Sequence, residues 1–350
     1  MRGTRITIRE IAEQAGVSKA TVSFAFNAPW KISPETRDRV LAVAQTLDYI
    51  PDPVARTLTT KRIGTIGLLL PQAIQDVFLN PYLIEVLQGI GSVCHAEDLS
   101  LTILPPVKGL LSHTVRTALV DAIVTIGIGA DAEILNLMRK RHLPFVTIDG
   151  VGGAGALNVG IDDEGAGYAL MRHVLDFGHR RIDIISLRNV HELLMGLDSD
   201  GASRFRILDL RMRGINRALA ERNLRSGTDQ VRVFPCDAAT EAAERLSLPL
   251  LAAPDRPSAF VCLSDAAALG VYAACGRLGL VIPRDLSVVG FDGIALGSLM
   301  APPLTTLRQP GFEKGRAAAA LVLASLREQP CRDQFLASEL YVGGSCSTPG

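Results

Sequence analysis

At 350 residues, 48% hydrophobic and 21% charged with no net charge, the chain is long enough for more than one domain and has the composition of a soluble globular protein. Apolar stretches such as Ala317–Leu326 are about half the ~20 residues of a membrane span, and no apolar secretion segment opens the chain. Six scattered cysteines without a C-x-x-C pair give neither a zinc site nor a disulfide framework, so a reducing cytoplasm is the expected compartment. The zero net charge hides an asymmetry. Residues 1–62 hold ten Lys/Arg against six Asp/Glu, which makes the head +4 and the remainder −4. A basic head on an acidic body suits a protein that touches a polyanion with one end.

Thr7 and Glu10 form a capping-box pattern, after which Ile8, Ile11, Ala12 and Ala15 share one helical face. Gly16 ends that helix where a left-handed residue is wanted. Ser18 caps a second helix, in which Ala20, Val22 and Ala25 alternate with Lys19, Thr21, Ser23 and Asn27. Ser33-Pro34 opens a third, with Val40, Leu41, Ala44 and Leu47 as its inner stripe. Two short helices joined by a Gly-containing turn and closed by a third make a helix-turn-helix, whose second helix enters the major groove. A plain three-helix bundle used for protein contacts has the same periodicity. Asp52 and Pro53 then begin a segment too short to be a stable helix alone, with Val54, Ala55 and Leu58 at helical spacing.

From Ile63 onward, short apolar runs alternate with amphipathic stretches. Strands are expected at 65–70, 101–104, 122–126, 145–148, 182–186, 231–234, 259–263 and 286–289. Buried parallel strands separated by helices imply doubly wound α/β layers, and their number implies two subdomains with a cleft between them. Ligands in such sheets bind beyond the carboxyl ends of the strands. Gly150–Gly155 fits G-x-G-x-x-G, but the following residues, 156–162, read as another extended segment rather than the helix a pyrophosphate site requires. The six histidines are scattered and no nucleophile elbow or metal pair occurs, so neither an enzyme nor a cofactor is expected. His179, where a helix end runs into a strand, reads as a structural group.

The run Thr7-Ile8-Arg9-Glu10-Ile11-Ala12, then Ala15-Gly16-Val17-Ser18-Lys19-Ala20-Thr21-Val22-Ser23, then Asn27 and Leu47-Asp48-Tyr49-Ile50-Pro51 resembles the head of the LacI/GalR family. That resemblance implies base contacts from Lys19, Ala20 and Phe24, and phosphate contacts from Thr7, Ser18, Thr21, Ser23 and Asn27. Phe24 stands where many members carry a guanine-reading Arg, so the operator sequence does not carry over. The family also implies a hinge helix in the minor groove, with Leu58 as the intercalating wedge and Ala55 beside it. The body is similar to the family's sensor, of periplasmic sugar-binding-protein fold, in Ile63–Leu68, Asn80-Pro81-Tyr82, Val120-Asp121, Gly178–Ile182, Arg211–Gly214, Ser264–Gly270, Asp285–Asp292 and Leu304–Pro310. Carried over residue by residue, Tyr82, Arg211, Asp292 and Gln309 line the effector cleft, and Asp265 is either a ligand contact or a helix cap. Leu83, Ser264 and Gly293 depart from the family's usual aromatic, Asn and second acid, and residues 187–210 are longer than usual.

The expected architecture is therefore an all-α helix-turn-helix head (1–50), a hinge (51–62) and an α/β body (63–350). The body's first subdomain comprises about 63–160 plus 293–322, and its second about 161–292 plus 323–342. The function implied is a DNA-binding repressor-type regulator, a homodimer or higher on a roughly palindromic operator, controlled by a small molecule of sugar type. The competing readings are a solute-binding protein with an accessory head and a Rossmann-like enzyme. The first lacks an export signal; the second lacks a cofactor loop and a catalytic set.

Overall fold

The computed structural model describes residues 6–52, 57, 62–70, 74–106, 111–127, 132–150, 156–187 and 206–350. Ala55, Leu58 and most of the long segment 187–210 lie outside the described residues. The chain divides into two compact units, Met1–Ile63 and Gly64–Gly350.

The first unit is helical: α1 (Ile8–Ala15), α2 (Lys19–Asn27), a 3-10 turn (Pro29–Lys31) and α3 (Pro34–Thr46). Its boundaries follow from local chemistry. Thr7 donates its backbone N–H to Glu10 Oε2 at 2.7 Å and its hydroxyl to the same oxygen at 2.9 Å. Those bonds hold the Glu10 carboxyl below its usual range. Gly16 takes φ +64°, the left-handed value that ends α1 without a Cβ penalty. Ser18 and Ser33 each accept a bond from the amide three residues on, Thr21 N–H at 3.0 Å and Thr36 N–H at 3.2 Å. Ile11, Ala12, Ala15, Val22, Ala25, Val40 and Ala44 form the small core, with Phe26 and Tyr49 packed at its edge.

The second unit holds two six-stranded sheets. The first runs β11-β5-β4-β3-β1-β2, all parallel, from β1 (Thr65–Leu69), β2 (Ser100–Leu104), β3 (Ala122–Ile126), β4 (Phe145–Ile148), β5 (Leu157–Gly160) and β11 (Gln334–Phe335). The second runs β12-β10-β9-β8-β6-β7, from β6 (Ile182–Leu187), β7 (Val231–Cys236), β8 (Ala259–Cys262), β9 (Ser287–Asp292), β10 (Thr305–Arg308) and β12 (Glu339–Tyr341); only the β10–β12 pair is antiparallel. Helices α4 (Ile74–Val77), α5 (Pro81–Ala96), α6 (Leu111–Thr117), α7 (Ala132–Lys140) and α13 (Gly311–Leu326) accompany the first sheet. Helices α8 (Asp163–Asp176), α9 (Arg206–Ala220), α10 (Thr240–Ala252) and α11 (Asp265–Leu278) cover the second, and the short α12 (Ala295–Ser298) follows β9. Central strands β1, β3, β4, β8 and β9 are buried at every residue, as sheets covered on both faces require.

The eight expected strands are present, each within a few residues of its expected bounds, and β5 follows the glycine run where a dinucleotide site would need a helix. Strands β10, β11 and β12 were not expected. They are short. Residues 293–308 end in β10, which pairs with β9 of the second sheet, whereas β11 pairs with β5 of the first. The crossing to the first lobe therefore falls after β10, and the return falls between β11 and β12.

Candidate functional site: a carboxylate-rich cleft and a helix-turn-helix

The carboxyl ends of both sheets face one cavity in the second unit, bordered by Tyr82, Leu83, Asp149, Arg211, Asp237, Ser264, Asp292 and Gln309 among others. Tyr82 comes from the first turn of α5, which Asn80 caps by accepting the Tyr82 N–H at 3.1 Å. Its hydroxyl donates to Asp149 Oδ2 at 2.7 Å, one residue beyond β4. Lys314 of α13 is wholly buried and bonds Asp149 Oδ1 at 2.5 Å and Gln309 Oε1 at 2.6 Å. Gln309 Nε2 in turn donates to Asp292 Oδ1 at 2.6 Å. One continuous chain of polar contacts thus runs from the first sheet to the end of β9 in the second.

The Arg211 guanidinium carbon, from α9, lies over the Phe291 ring 3.6 Å from its centroid, and Arg211 donates through Nε to Asp163 Oδ1 at 2.8 Å. Burial opposes its charge, but Asp163, Asp292 and Asp149 hold its pKa above the usual value. Burial pushes the Asp163 carboxyl up, and Arg211 offsets part of that push. Asp292 is pushed up to about 7, first by burial and then by the charge of Asp265. Burial and the Asp149 carboxylate likewise push the Tyr82 phenol well above its usual value.

Four of the five expected effector residues, Tyr82, Arg211, Asp292 and Gln309, meet at this cavity. Asp265 is not among the residues that border it. Its carboxylate accepts the N–H groups of Gly293 at 2.7 Å and Ile294 at 2.9 Å and the Thr306 hydroxyl at 2.6 Å. It neither caps its own helix nor reaches the cavity; it braces the turn that presents Asp292. That turn is strained, because Asp292 adopts φ +137°, a conformation that costs an ordinary L-residue about 1–3 kcal/mol. The departure at Gly293 has the same origin. Its φ is +81°, and a Cβ there would lie 2.7 Å from the Arg308 Cα.

Sequence reasoning missed Asp149, Lys314 and Asp237 and noted Ser264 only as a departure. A Lys at position 314 shares the apolar stripe of Ala318 and Val322 in α13, and that mismatch was a legible sign of a buried charge. Ser264 precedes α11 but makes no cap bond. Its hydroxyl is buried beside the cavity without a hydrogen-bond partner among the described residues. Leu70, Val77, Leu83, Ile126, Ile207 and Leu263 make much of the remaining wall aliphatic. His179 is structural, as expected: Ser258 and Ser287 hydroxyls and the Ser347 carbonyl hold its ring. Among the described residues no His/Cys/Asp/Glu group could hold a metal ion, and no helix is long and apolar enough to cross a membrane.

In the first unit, Ser18, Lys19 and Ala20 are exposed at the start of α2, while Thr21, Ser23, Phe24 and Asn27 are half-buried along it. Thr7 and Lys19 border one shallow groove with Arg9 and Tyr49, so the starts of α1 and α2 share a surface.

A helix-turn-helix head followed by a two-sheet body with a polar cleft defines a class, the ligand-responsive DNA-binding regulators. The model of bacterial regulatory proteins of the lacI family matches residues 7–52, and that of periplasmic binding protein-like domains matches residues 171–346. An HTH-type transcriptional regulator of Mycobacterium tuberculosis is 30% identical over 99% of this chain and 98% of its own. The HTH-type transcriptional repressor PurR of Vibrio vulnificus is 30% identical over 92% of each chain. A LacI-family regulator structure from Corynebacterium glutamicum superposes with TM-score 0.70 at 25% identity over the whole of both chains. The lac repressor dimer bound to operator and an anti-inducer gives TM-score 0.79 at 21% identity, covering 98% of this chain and all of that one. The chain belongs to the lacI family of bacterial regulatory proteins, DNA-binding transcriptional regulators whose bodies bind small-molecule effectors.

Proposed function

We propose that this protein is a cytoplasmic, non-enzymatic repressor that binds a roughly palindromic operator as a dimer and releases or grips it according to a sugar-like effector held in the cleft. The observation that carries this reading is the convergence of Tyr82 and Asp149 from the elements of one sheet's lobe with Arg211, Asp292 and Gln309 from those of the other on a single cavity. A ligand bridging both sets prefers one closure of the lobes, and DNA affinity changes only as far as that preference extends. Related structures were solved with ribose and with cellobiose, which supports a sugar here. Cavity chemistry supports a neutral polyol over an anion. Asp149, Asp237 and Asp292 border the cavity, and Arg211, the one cation bordering it among the described residues, is already paired with Asp163. Carboxylates accept from ligand hydroxyls, while Arg211 and the unpartnered Ser264 hydroxyl donate.

On the head, Lys19, Ala20 and Phe24 read bases, and Thr7, Ser18, Thr21, Ser23 and Asn27 hold phosphates. Ala55 and Leu58, in a hinge over 51–62, enter the minor groove. The deciding experiment is a melting-shift screen of the full chain against neutral, amino- and phosphosugars. A neutral sugar is expected to raise Tm, and Arg211→Lys, which keeps a charge beside Asp163, is expected to remove most of that shift. A ligand that acts equally on both proteins would overturn the cleft assignment. For the head, affinity for a selected palindromic duplex should fall steeply with salt. Weak, sequence-independent binding at every salt concentration would overturn the regulator reading.

A further inference from the structure

The 3-10 turn after α2 carries the only tryptophan in the protein. Trp30 leaves 78% of its surface in water, although Phe26 and Tyr49 of the same unit pack against its core. The turn is well defined. Pro29 opens it, Lys31 N–H donates to Ala28 O at 3.0 Å, and Ile32 N–H donates to Pro29 O at 3.4 Å. The turn also lies against the reading helix, because the Lys31 ammonium sits over the Phe24 ring, 5.1 Å from its centroid. Lys31 therefore extends the surface of α2 at Phe24, and Trp30, exposed, is its neighbour in the same turn.

A large apolar ring held in water on a hydrogen-bonded turn is available for contact with a partner. The surrounding chain names the partner's charge. Residues 14–34 contain Lys19 and Lys31 and no Asp or Glu, a field suited to a polyanion. The surface is also continuous with the helix through which this family of regulators meets DNA. We propose that Trp30 is a DNA-contact residue. Its indole packs on a thymine methyl or deoxyribose at the edge of each half-site, while Lys31 neutralises the adjacent phosphate. Thymine methyls are read by apolar contact, so Phe24 and Trp30 together form an apolar reading surface. This inference rests on the DNA-binding reading of the head.

A single tryptophan makes the test direct. Duplexes are selected from a random library with the full-length protein, and the selected duplex, labelled, is titrated by anisotropy while Trp30 emission is recorded in parallel. Emission is expected to change in step with binding. Trp30→Ala is expected to weaken binding at least tenfold without lowering Tm, and Trp30→Phe to recover most of that loss. Lys31→Ala is expected to weaken all sequences alike and flatten the salt dependence. If the duplex binds while emission and the Trp30→Ala affinity stay unchanged, the inference falls and the DNA-binding reading stands. Emission that depends on protein concentration without DNA, with altered sedimentation of Trp30→Ala, would instead make Trp30 a protein–protein contact. If no duplex is selected, both the inference and the reading fall.

Discussion

The head and the cleft organise their polar groups over very different distances along the chain. In the head, Thr7–Glu10, Ser18–Thr21 and Ser33–Thr36 are three residues apart, and each bond decides where a helix begins. In the cleft, Gln309–Asp292, Arg211–Asp163, Lys314–Asp149 and Lys314–Tyr82 span 17, 48, 165 and 232 residues. Local bonds trim a backbone that helix propensity already favours. The long-range ones exist only after both sheets have formed, and they hold charges in a place that water has left. A broken contact should therefore cost far more in the cleft than in the head.

The largest expected effect is at Lys314. Replacing it by Ala leaves Asp149 buried without its cation, a change that costs about 3–5 kcal/mol when one partner of a buried pair is removed. Urea unfolding of the full chain should register that loss, and the double variant Lys314→Met with Asp149→Asn should regain much of it. Equal stability of Lys314→Ala and the wild type would remove the contrast drawn between the two regions.

Asp292 gives the next effect, with a defined pH direction. Its folded pKa, about 7, lies above the ordinary carboxyl value. The folded protein therefore binds the extra proton, and stability falls as pH rises from about 4 through 7. Asp292→Asn removes the ionisation, so thermal melts should show its stability relative to wild type rising on the order of 2–4 kcal/mol from pH 4 to pH 8. A relative stability that stays flat across that range would refute the protonated Asp292. The smallest effect belongs to the head. Ser18→Ala deletes one N-cap and should cost about 1 kcal/mol, visible as faster hydrogen exchange confined to the amides of α1–α3. A cost comparable to that of Lys314→Ala would show that the head, too, depends on distant partners.

The same contrast explains what could be read in advance. Helix limits in the head were legible because Thr7, Gly16, Ser18 and Ser33 act on their immediate neighbours. Central strands were legible because burial on both faces demands unbroken apolar runs. Strands β10 to β12 were not, because four, two and three residues at or near sheet edges leave no periodicity to recognise. Tyr82, Arg211, Asp292 and Gln309 were assigned to the cleft by family likeness, and Asp265, carried over by the same route, turns its carboxylate to the Gly293 and Ile294 amides. Likeness places a residue in a neighbourhood but does not say which way its carboxylate turns.

The amino-acid sequence by itself determined the class of protein. It specified a capped three-helix head, a basic end on an acidic body, and enough buried strands for two sheets. All of these rest on interactions within a few residues or on bulk composition. Only the tertiary structure decided that Lys314 and Asp149 form the buried tie beside the cleft, that Asp265 braces the turn after Asp292, and that Trp30 stays exposed. Each of these depends on which groups end up sharing a space from which water is excluded, or left open to it. That partition is made by the packing of elements tens to hundreds of residues apart, and no local pattern records it.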